Sequence, residues 1–287
     1  MSKTLRLIYP QWQGGCNPLY AQGAAIMAAI APKSSIAETI EVPVADNYDA
    51  ELTVSNGVHE EEAIIQQTKA AVRILEDRQP DKVLVFGGDC SVSQAPFDYL
   101  HGKYPENTGI IWLDAHVDIS KPTDRYKNDH AMVLANLMGG GAPTVSALVQ
   151  HPFTPRQVLY AGVIADKMNP LEQEQYKMYR IPIVSPEALM ESSSPVLEWV
   201  RENNIKNVMI HFDLDVLDAA DFRSVFYNQP HLGPVSYATG KLTLAQTVRM
   251  ITDIEKEANL VGLSIAEYAP WDIFNIREQF AKIDLFK

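Results

Sequence analysis

Acidic side chains and a histidine follow two hydrophobic runs at alternating positions. Asp114, His116 and Asp118 come directly after "GIIWL", and Asp213 and Asp215 follow "NVMIHF". If strand geometry continues, alternate side chains point to the same side. Carboxylates and an imidazole brought together in this way repel one another or stay unpaired unless a cation joins them. The spacing predicts a metal site; a helix-capping acid beside a packed histidine is the alternative.

Two more hydrophobic runs end in residues that could do chemistry. In "VLVFGGDCS" the thiol of Cys90 could be a nucleophile, a metal ligand or a packed side chain. In "VGLSIAEYAP" Glu267 could hold a cationic substrate, or it could be an exposed acid before a turn. His130 ends the irregular segment 118–130 and is either an acid–base group or a packed or capping residue.

Six short hydrophobic runs alternate with segments of helical periodicity. The runs are "KTLRLIYP", "KVLVFGGD", "TGIIWLDAH", "QVLYAGVI", "NVMIHFDLD" and "ANLVGLSIAEYAP"; the helical segments include "EEEAIIQQTKAAVRILEDR", "AMVLANLMGG", "SSPVLEWVRENN" and "LTLAQTVRMITDIEKE". This alternation predicts an α/β fold with a mostly parallel sheet, covered by helices on both faces because its strands are apolar throughout. Ligands of such sheets bind beyond the carboxyl ends of the strands, so the four polar strand ends should converge.

Composition limits the partners and the compartment. The 287 residues carry a net charge of −12, which disfavours binding to a phosphate backbone. No stretch approaches the roughly 20 apolar residues of a membrane span, and the N-terminus lacks the apolar segment of a signal peptide. Two cysteines cannot make a disulfide framework. We therefore expect a cytoplasmic protein without nucleic-acid or membrane partners, and, since no linker divides residues 1–287, a single domain.

Four motifs in a fixed order carry a family resemblance. "GGDCS", "DAHVD", "DLDVLD" and "EYAP", spread from Gly87 to Pro270, resemble those of the ureohydrolases, the arginase and agmatinase family. The resemblance implies a three-layer α/β/α fold with a central parallel sheet and a pair of manganese ions at its carboxyl edge. It also implies a small guanidino-containing substrate and assembly as a homo-oligomer.

Each motif residue has a counterpart role in that family. Cys90 stands where the first histidine ligand belongs, and Asp114, Asp118 and Asp213 match shared or bridging ligands. His116 and Asp215 match ligands of the second ion. His130 matches the proton-shuttle histidine, and Glu267 matches the acid that grips the guanidinium.

The cysteine is the main departure from the family pattern. Manganese prefers oxygen and imidazole ligands, whereas thiolate suits zinc, copper or iron–sulfur centres. We therefore hypothesise that the first ion is weakly bound, absent or another metal, so that the protein holds one or two ions. The same substitution is found in arginase-like Nω-hydroxy-arginine hydrolases, which this sequence resembles at Cys90.

The segments that should bind the rest of the substrate also depart from arginases. Where arginases have an asparagine and a serine, this chain reads "ISKPTDRYKND", in which Ser120, Arg125 and Lys127 are candidate contacts for an anionic tail. Solvated loop charges are the alternative for the two cations. Asn169 stands where arginases have an acid for the α-amino group.

The favoured function is hydrolysis of a guanidino C–N bond, releasing urea or hydroxyurea plus an amine. A one-metal deacylase of the histone-deacetylase-like type would suit Cys90, but it does not need Asp118, Asp213 and Glu267. A non-catalytic member of the family is the third possibility, although a decayed site should have lost more than one ligand. Nucleophilic catalysis by Cys90 is disfavoured because nearby carboxylates oppose a low thiol pKa.

Overall fold

An eight-stranded sheet runs through the centre of the computed structural model, which describes residues 2–48 and 50–286. Its strand order is β2-β1-β5-β10-β9-β6-β7-β8, and every neighbouring pair is parallel. A short antiparallel hairpin, β3-β4, lies outside it. The strands are β1 (Thr4–Tyr9), β2 (Glu38–Glu41), β3 (Val54–Ser55), β4 (Val58–His59), β5 (Lys82–Gly87), β6 (Thr108–Leu113), β7 (Val158–Ala161), β8 (Ile183–Val184), β9 (Asn207–Asp213) and β10 (Asn259–Ala266).

Helices cover both faces of this sheet, as the apolar strands predicted. Leu75 and Phe97 pack one face, whereas Trp199 and Ile254 pack the other. All six residues of β6 are buried, which is typical of a strand between two helical layers. The helices are α1 (Leu19–Ile30), α2 (Glu61–Arg78), α3 (Gln94–Lys103), α4 (Val133–Leu137), α5 (Pro143–Ser146), α6 (Pro170–Tyr179), α7 (Pro186–Glu191), α8 (Ser194–Glu202), α9 (Leu244–Glu257) and α10 (Trp271–Phe280).

The three-layer α/β/α fold with a parallel sheet is therefore confirmed. All six hydrophobic runs form strands of the sheet, at β1, β5, β6, β7, β9 and β10. The sequence did not indicate the edge strands β2 and β8, whose four and two residues are too short for a clear pattern. It also missed α1 and α3, in which the apolar residues show little periodicity. Among the described residues, no helix has both the length and the apolar character needed to cross a bilayer.

Candidate active site

The four strands that carry the motifs lie side by side at the centre of the sheet. Their order is β5-β10-β9-β6, and Phe86, Ile265, Phe212 and Leu113 form one cross-strand row near their carboxyl ends. The chemically active residues follow this row by one to four positions, at Asp114, Asp213, Glu267 and Cys90. The predicted convergence of the four strand ends is thus what the structure shows.

One group of potential ligand atoms is built from oxygen and imidazole. Asp114, His116 and Asp215 each offer an atom within 4.8 Å of the others. His116 Nδ1 lies 2.9 Å from Asp215 Oδ2 and 3.4 Å from Asp114 Oδ1. Burial opposes protonation of His116, but Asp215 and Asp114 outweigh it and raise its pKa well above the usual value. In the metal-free protein a proton therefore occupies the place of a cation, and the donor set suits manganese.

A second group contains the cysteine. Cys90 Sγ donates to Asp213 Oδ2 at 2.9 Å and to Glu267 Oε1 at 3.4 Å. Burial, reinforced by the charges of Asp213 and Glu267, raises the pKa of the Cys90 thiol well above its usual value. Without a cation the thiol therefore stays protonated, which disfavours the nucleophile alternative. With a bound cation the thiol would ionise and become a ligand.

His130 and Glu267 form an ion pair beside these groups. His130 Nδ1 lies 2.5 Å from Glu267 Oε1, and the Tyr126 hydroxyl lies 2.7 Å from His130 Nε2. The Tyr20 hydroxyl donates to Glu267 Oε2 at 2.8 Å. Burial opposes protonation of His130, but Tyr126 and Glu267 outweigh it and raise its pKa well above the usual value. The imidazole is thus held in its proton-donating form.

Asp118 lies beside the ligand groups found among the described residues but belongs to none of them, so its role as a metal ligand remains a prediction. It is buried, and its Oδ2 has no hydrogen-bond partner within the described parts of the chain. Burial, reinforced by the charge of Asp114, raises the pKa of its carboxyl well above the usual value. Asp118 and Glu267 both adopt left-handed backbone conformations, with φ of 46° and 63°. Such angles are uncommon for these residues and turn their side chains away from strand alternation.

Gly88 allows β5 to end against the segment after β1. A Cβ at Gly88 would lie 1.8 Å from the carbonyl oxygen of Gln11. The backbone N–H of the next residue, Asp89, donates to that same oxygen at 2.8 Å. The Asp89 carboxylate in turn accepts from the backbone N–H groups of Gly15 and Ser91. These hydrogen bonds hold the segment that presents Cys90, as expected for residues that support a site.

Gly88→Ala is expected to lower the free energy of unfolding by about 3 kcal/mol. The new methyl group would overlap backbone atoms of Gln11, and neither the Gln11 backbone nor the backbone of residue 88 can easily move away. Urea denaturation measures the change. Gly139→Ala is the control: Gly139 has φ of 77° but no neighbour within 4 Å of an added Cβ, so only about 1 kcal/mol of backbone strain is expected. Equal losses in the two variants would contradict the steric explanation.

The stability of the metal-free protein should depend on Asp89. Burial raises the pKa of its carboxyl to about 7, and Glu267 and Asp129 add to the rise, although His130 opposes it. The folded chain therefore keeps the Asp89 proton between about pH 4 and pH 7, whereas the unfolded chain releases it. The contribution of Asp89 to the free energy of unfolding is therefore fully present below about pH 4 and is lost as the pH rises through about 7.

Asp89→Asn isolates this effect from other titrating groups. Relative to the variant, the wild type should lose on the order of 4 kcal/mol of unfolding free energy between pH 4 and pH 8. Urea denaturation of both proteins in chelator, at unit pH intervals, gives the difference. Parallel curves across this range would rule out a titrating Asp89.

A cavity of about 200 Å³ adjoins His116 and offers room for a substrate tail. Asn169 lines it, but its Oδ1 already accepts from the backbone N–H groups of Leu171 and Glu172 and caps α6. Lys167, which the sequence analysis did not single out, is a cation in the cavity wall. Because the roles of these residues depend on a ligand, the assignment of Asn169 remains a prediction.

The other predicted substrate contacts lie on the loop after β6. Arg125 is exposed, and Ser120 is partly buried with its backbone N–H bound to Ala131. Lys127 Nζ donates to the Pro122 carbonyl at 2.8 Å, so this cation braces its own loop. The substrate roles of these three residues also remain predictions.

Two further residues were missed. Tyr20 reaches Glu267 from α1, a helix that the sequence did not reveal, so no local signal could have found it. His211 is fully buried and lies with Cys90, Asp114 and Asp213 in one ligand group. Its signal was available, since His211 and Asp213 alternate at the end of β9.

Comparison with known proteins agrees with this geometry. A profile of the arginase family matches residues 21–276. Arginase 1, mitochondrial, of Arabidopsis thaliana is 24% identical over 218 residues, which cover 74% of this chain and 54% of that protein. The arginase of Staphylococcus aureus strain COL is 26% identical over 176 residues, covering 60% and 54%. The chain thus spans about half the length of the curated relatives it matches.

Solved structures share the fold. The native structure of arginase from Bacillus caldovelox superposes with a TM-score of 0.78 at 20% identity, covering 94% of this chain and 92% of that one. At this identity the likeness concerns the architecture. The family assignment comes instead from the profile, which spans most of the sequence and all four motifs. The chain belongs to the arginase family.

Proposed function

We propose that the protein is a metal-dependent amidinohydrolase that cleaves a guanidino C–N bond in a small molecule. The products would be urea, or hydroxyurea from a hydroxyguanidine, and an amine. The observation that carries the proposal is that two features lie next to each other at one edge of the sheet. A buried acidic ligand cluster lies there, and the Glu267–His130 pair lies directly beside it.

The cluster fits a pair of divalent ions. Asp114, His116 and Asp215 provide the oxygen and imidazole donors that manganese prefers and would form the second position, and Asp213 is grouped with Asp215 and adds a further carboxylate. Cys90 belongs to the first position, where its thiolate disfavours manganese. When bound, such ions lower the pKa of water from 15.7 to about 7 and supply hydroxide at neutral pH.

The role proposed for Glu267 is to hold the guanidinium. One carboxylate oxygen accepts from the Tyr20 hydroxyl, and the other faces His130. A planar guanidinium can replace His130 at this second oxygen through charge-assisted hydrogen bonds. Glu267 would then fix the carbon to be attacked beside the ligand cluster, and its charge would favour a cationic substrate.

The role proposed for His130 is to deliver the proton that the leaving amine needs. Hydroxide adds to the guanidino carbon, the bond from that carbon to the substituted nitrogen breaks, and this nitrogen takes up a proton to leave as an amine. His130 carries a proton in the free protein because Tyr126 and Glu267 favour its charged form. Once the substrate occupies Glu267, that proton becomes available.

The substrate's tail is proposed to lie in the cavity beside His116. Asn169 lines this cavity, and Ser120, Arg125 and Lys127 lie on the loop after β6. We propose that these residues select an anionic tail, and that a hydroxyguanidine is preferred over arginine because of Cys90. We also propose that residues 1–287 act as one domain in a cytoplasmic homo-oligomer, whose mass light scattering would measure.

A substrate panel tests the function. Protein reconstituted with manganese, with zinc or with both is assayed for urea and hydroxyurea with arginine, Nω-hydroxy-arginine, agmatine and guanidino acids. Release of either product in a metal-dependent manner is the expected result. Acetate release from acetyl-lysine or acetyl-polyamines, without urea from any guanidine, would instead favour the deacylase. Silence across both sets would favour a non-catalytic protein.

A further inference from the structure

His211 has a buried ring nitrogen without a hydrogen-bond partner. The residue is fully buried on β9, and its ring stacks on Trp112 of β6 with centroids 3.8 Å apart. Nδ1 lies 2.8 Å from Ser93 Oγ. Nε2, on the other side of the ring, has no partner among the described residues; the nearest carboxylate oxygen, Asp114 Oδ2, is 3.8 Å away. An orphaned polar atom at this depth is rare and calls for a physical cause.

A second histidine in the chain shows what a satisfied ring looks like in similar packing. His101 stacks on Phe153 with centroids 3.9 Å apart and the same interplanar angle of 15°. Its Nδ1 lies 2.6 Å from the His151 carbonyl oxygen, and its Nε2 lies 3.0 Å from the Gln157 side chain. Stacking therefore does not require an unpaired nitrogen, and the orphan at His211 needs another explanation.

The unpartnered Nε2 of His211 lies in a group of potential ligand residues. Cys90, Asp114, His211 and Asp213 are all buried, and each offers one atom within 4.8 Å of the others. Two carboxylates, a thiol and an imidazole without a counter-ion are costly to bury together. One divalent cation would partner the orphaned nitrogen and offset the carboxylate charges at once.

We propose that His211 Nε2 and Cys90 Sγ together hold the ion at the first position, with carboxylate oxygens of Asp114 and Asp213. This inference rests on the proposed function only in that it assigns a donor set to one of its two ions. One sulfur, one nitrogen and two oxygens form a four-donor set typical of zinc, whereas manganese favours sites without sulfur. The two positions therefore differ in metal, with zinc at the first and manganese at the second.

Two serines are arranged so that they can support the tautomer that this proposal requires. A nitrogen that binds a cation must be unprotonated, so Nδ1 has to carry the hydrogen and needs an acceptor. Ser93 Oγ is that acceptor at 2.8 Å, and its own hydroxyl can donate to Ser264 Oγ at 2.6 Å. Ser264 lies beside His211 in the sheet register. The chain of hydroxyls thus leaves the Nε2 lone pair directed at the ligand group.

The test counts ligands on bound zinc directly. His116→Asn removes the imidazole of the second position, so imidazole scattering in zinc X-ray absorption then reports the first position. Protein stripped with chelator is reloaded with zinc chloride, and zinc content is measured in parallel. In this background we expect about one zinc per chain, with one sulfur and one imidazole as ligands.

Adding His211→Asn should remove the imidazole signal, retain the sulfur signal and weaken zinc binding by roughly tenfold or more. His101→Asn, the matched stacked histidine, should change none of these readouts. His130→Asn distinguishes the other imidazole near Cys90: loss of the nitrogen signal in that variant, and not in His211→Asn, would overturn the assignment. Zinc bound without sulfur, or two equally tight manganese ions in the wild type, would overturn it too.

Circular dichroism of the metal-free variants checks that each of them folds. Should His211→Asn fail to fold, Cys90→Ser provides the second arm, and loss of the sulfur signal together with tenfold weaker zinc binding is expected. Sulfur retained in Cys90→Ser would sink the proposal. No substrate enters these experiments. If no substrate gave urea or hydroxyurea but zinc had the ligands described, the proposed function would be rejected and the ligand assignment would stand.

Discussion

Asp114→Asn is expected to lower kcat/KM for the guanidino substrate by roughly 1,000-fold or more, which corresponds to about 4 kcal/mol of transition-state stabilisation. Asp114 belongs to two ligand groups, one with His116 and Asp215 and one that contains Cys90. The neutral amide is a poor ligand and could not offset the charge of the two proposed cations. Metal content should fall in parallel, which elemental analysis measures on protein dialysed against metal-free buffer.

Asp98→Asn is the matched control for this prediction. Asp98, in the middle of α3, is also a buried carboxylate, but it accepts from the backbone N–H groups of Gln150 and His151. Its replacement should reduce stability by about 1–3 kcal/mol, since a hydrogen-bonded charge is lost, while both ions are retained. An Asp114→Asn protein that kept two ions per chain would contradict the shared-ligand role.

Glu267→Gln is expected to lower kcat/KM for a cationic guanidine by roughly 100- to 1,000-fold, or about 3–4 kcal/mol. The amide has nearly the same shape as the carboxylate, so the loss reports charge. Glu267 accepts a hydrogen bond from Tyr20 and pairs with His130. A bound guanidinium would interact with this same negative carboxylate. Steady-state kinetics with saturating metal measure the loss, and metal content should stay at the wild-type level.

Tyr20→Phe provides a graded comparison at the same carboxylate. It removes one hydrogen bond to a charged group, worth about 1.5–3 kcal/mol, so a loss of roughly 10- to 100-fold is expected. The substrate's charge gives a second check. A hydroxyguanidine, which is less basic, should lose less activity than a guanidinium when Glu267 is neutralised. Equal losses for both would show that Glu267 acts through shape and position rather than through charge.

The candidate ligand set could be proposed from the sequence because its signal is local. Asp114, His116 and Asp118, like Asp213 and Asp215, alternate directly after apolar runs, and such runs form buried strands wherever they fall in the sheet. The same runs predicted the parallel sheet and its helical cover. The motif order then indicated the family, and the family profile confirmed it.

The contacts between motifs were decided by the tertiary structure. The order β5-β10-β9-β6 brings residues as far apart as Cys90 and Glu267 together, and no periodicity encodes that order. Tyr20 comes from a helix without a clear apolar face, and the left-handed backbone at Asp118 and Glu267 breaks strand alternation.

His211 shows most directly the difference between what the sequence indicates and what the tertiary structure decides. Alternation along β9 placed it on the same side as Asp213, but a histidine on an apolar strand is more often packed or hydrogen-bonded than a ligand. The packed structure shows that Ser93 satisfies one ring nitrogen and that the other is left without a hydrogen-bond partner beside Cys90 and Asp114. The sequence by itself determined which residue types stand at the strand ends, because strand periodicity is a local property. Which of their atoms remain unpaired was decided only by the tertiary structure, because hydrogen-bond partners come from distant parts of the chain.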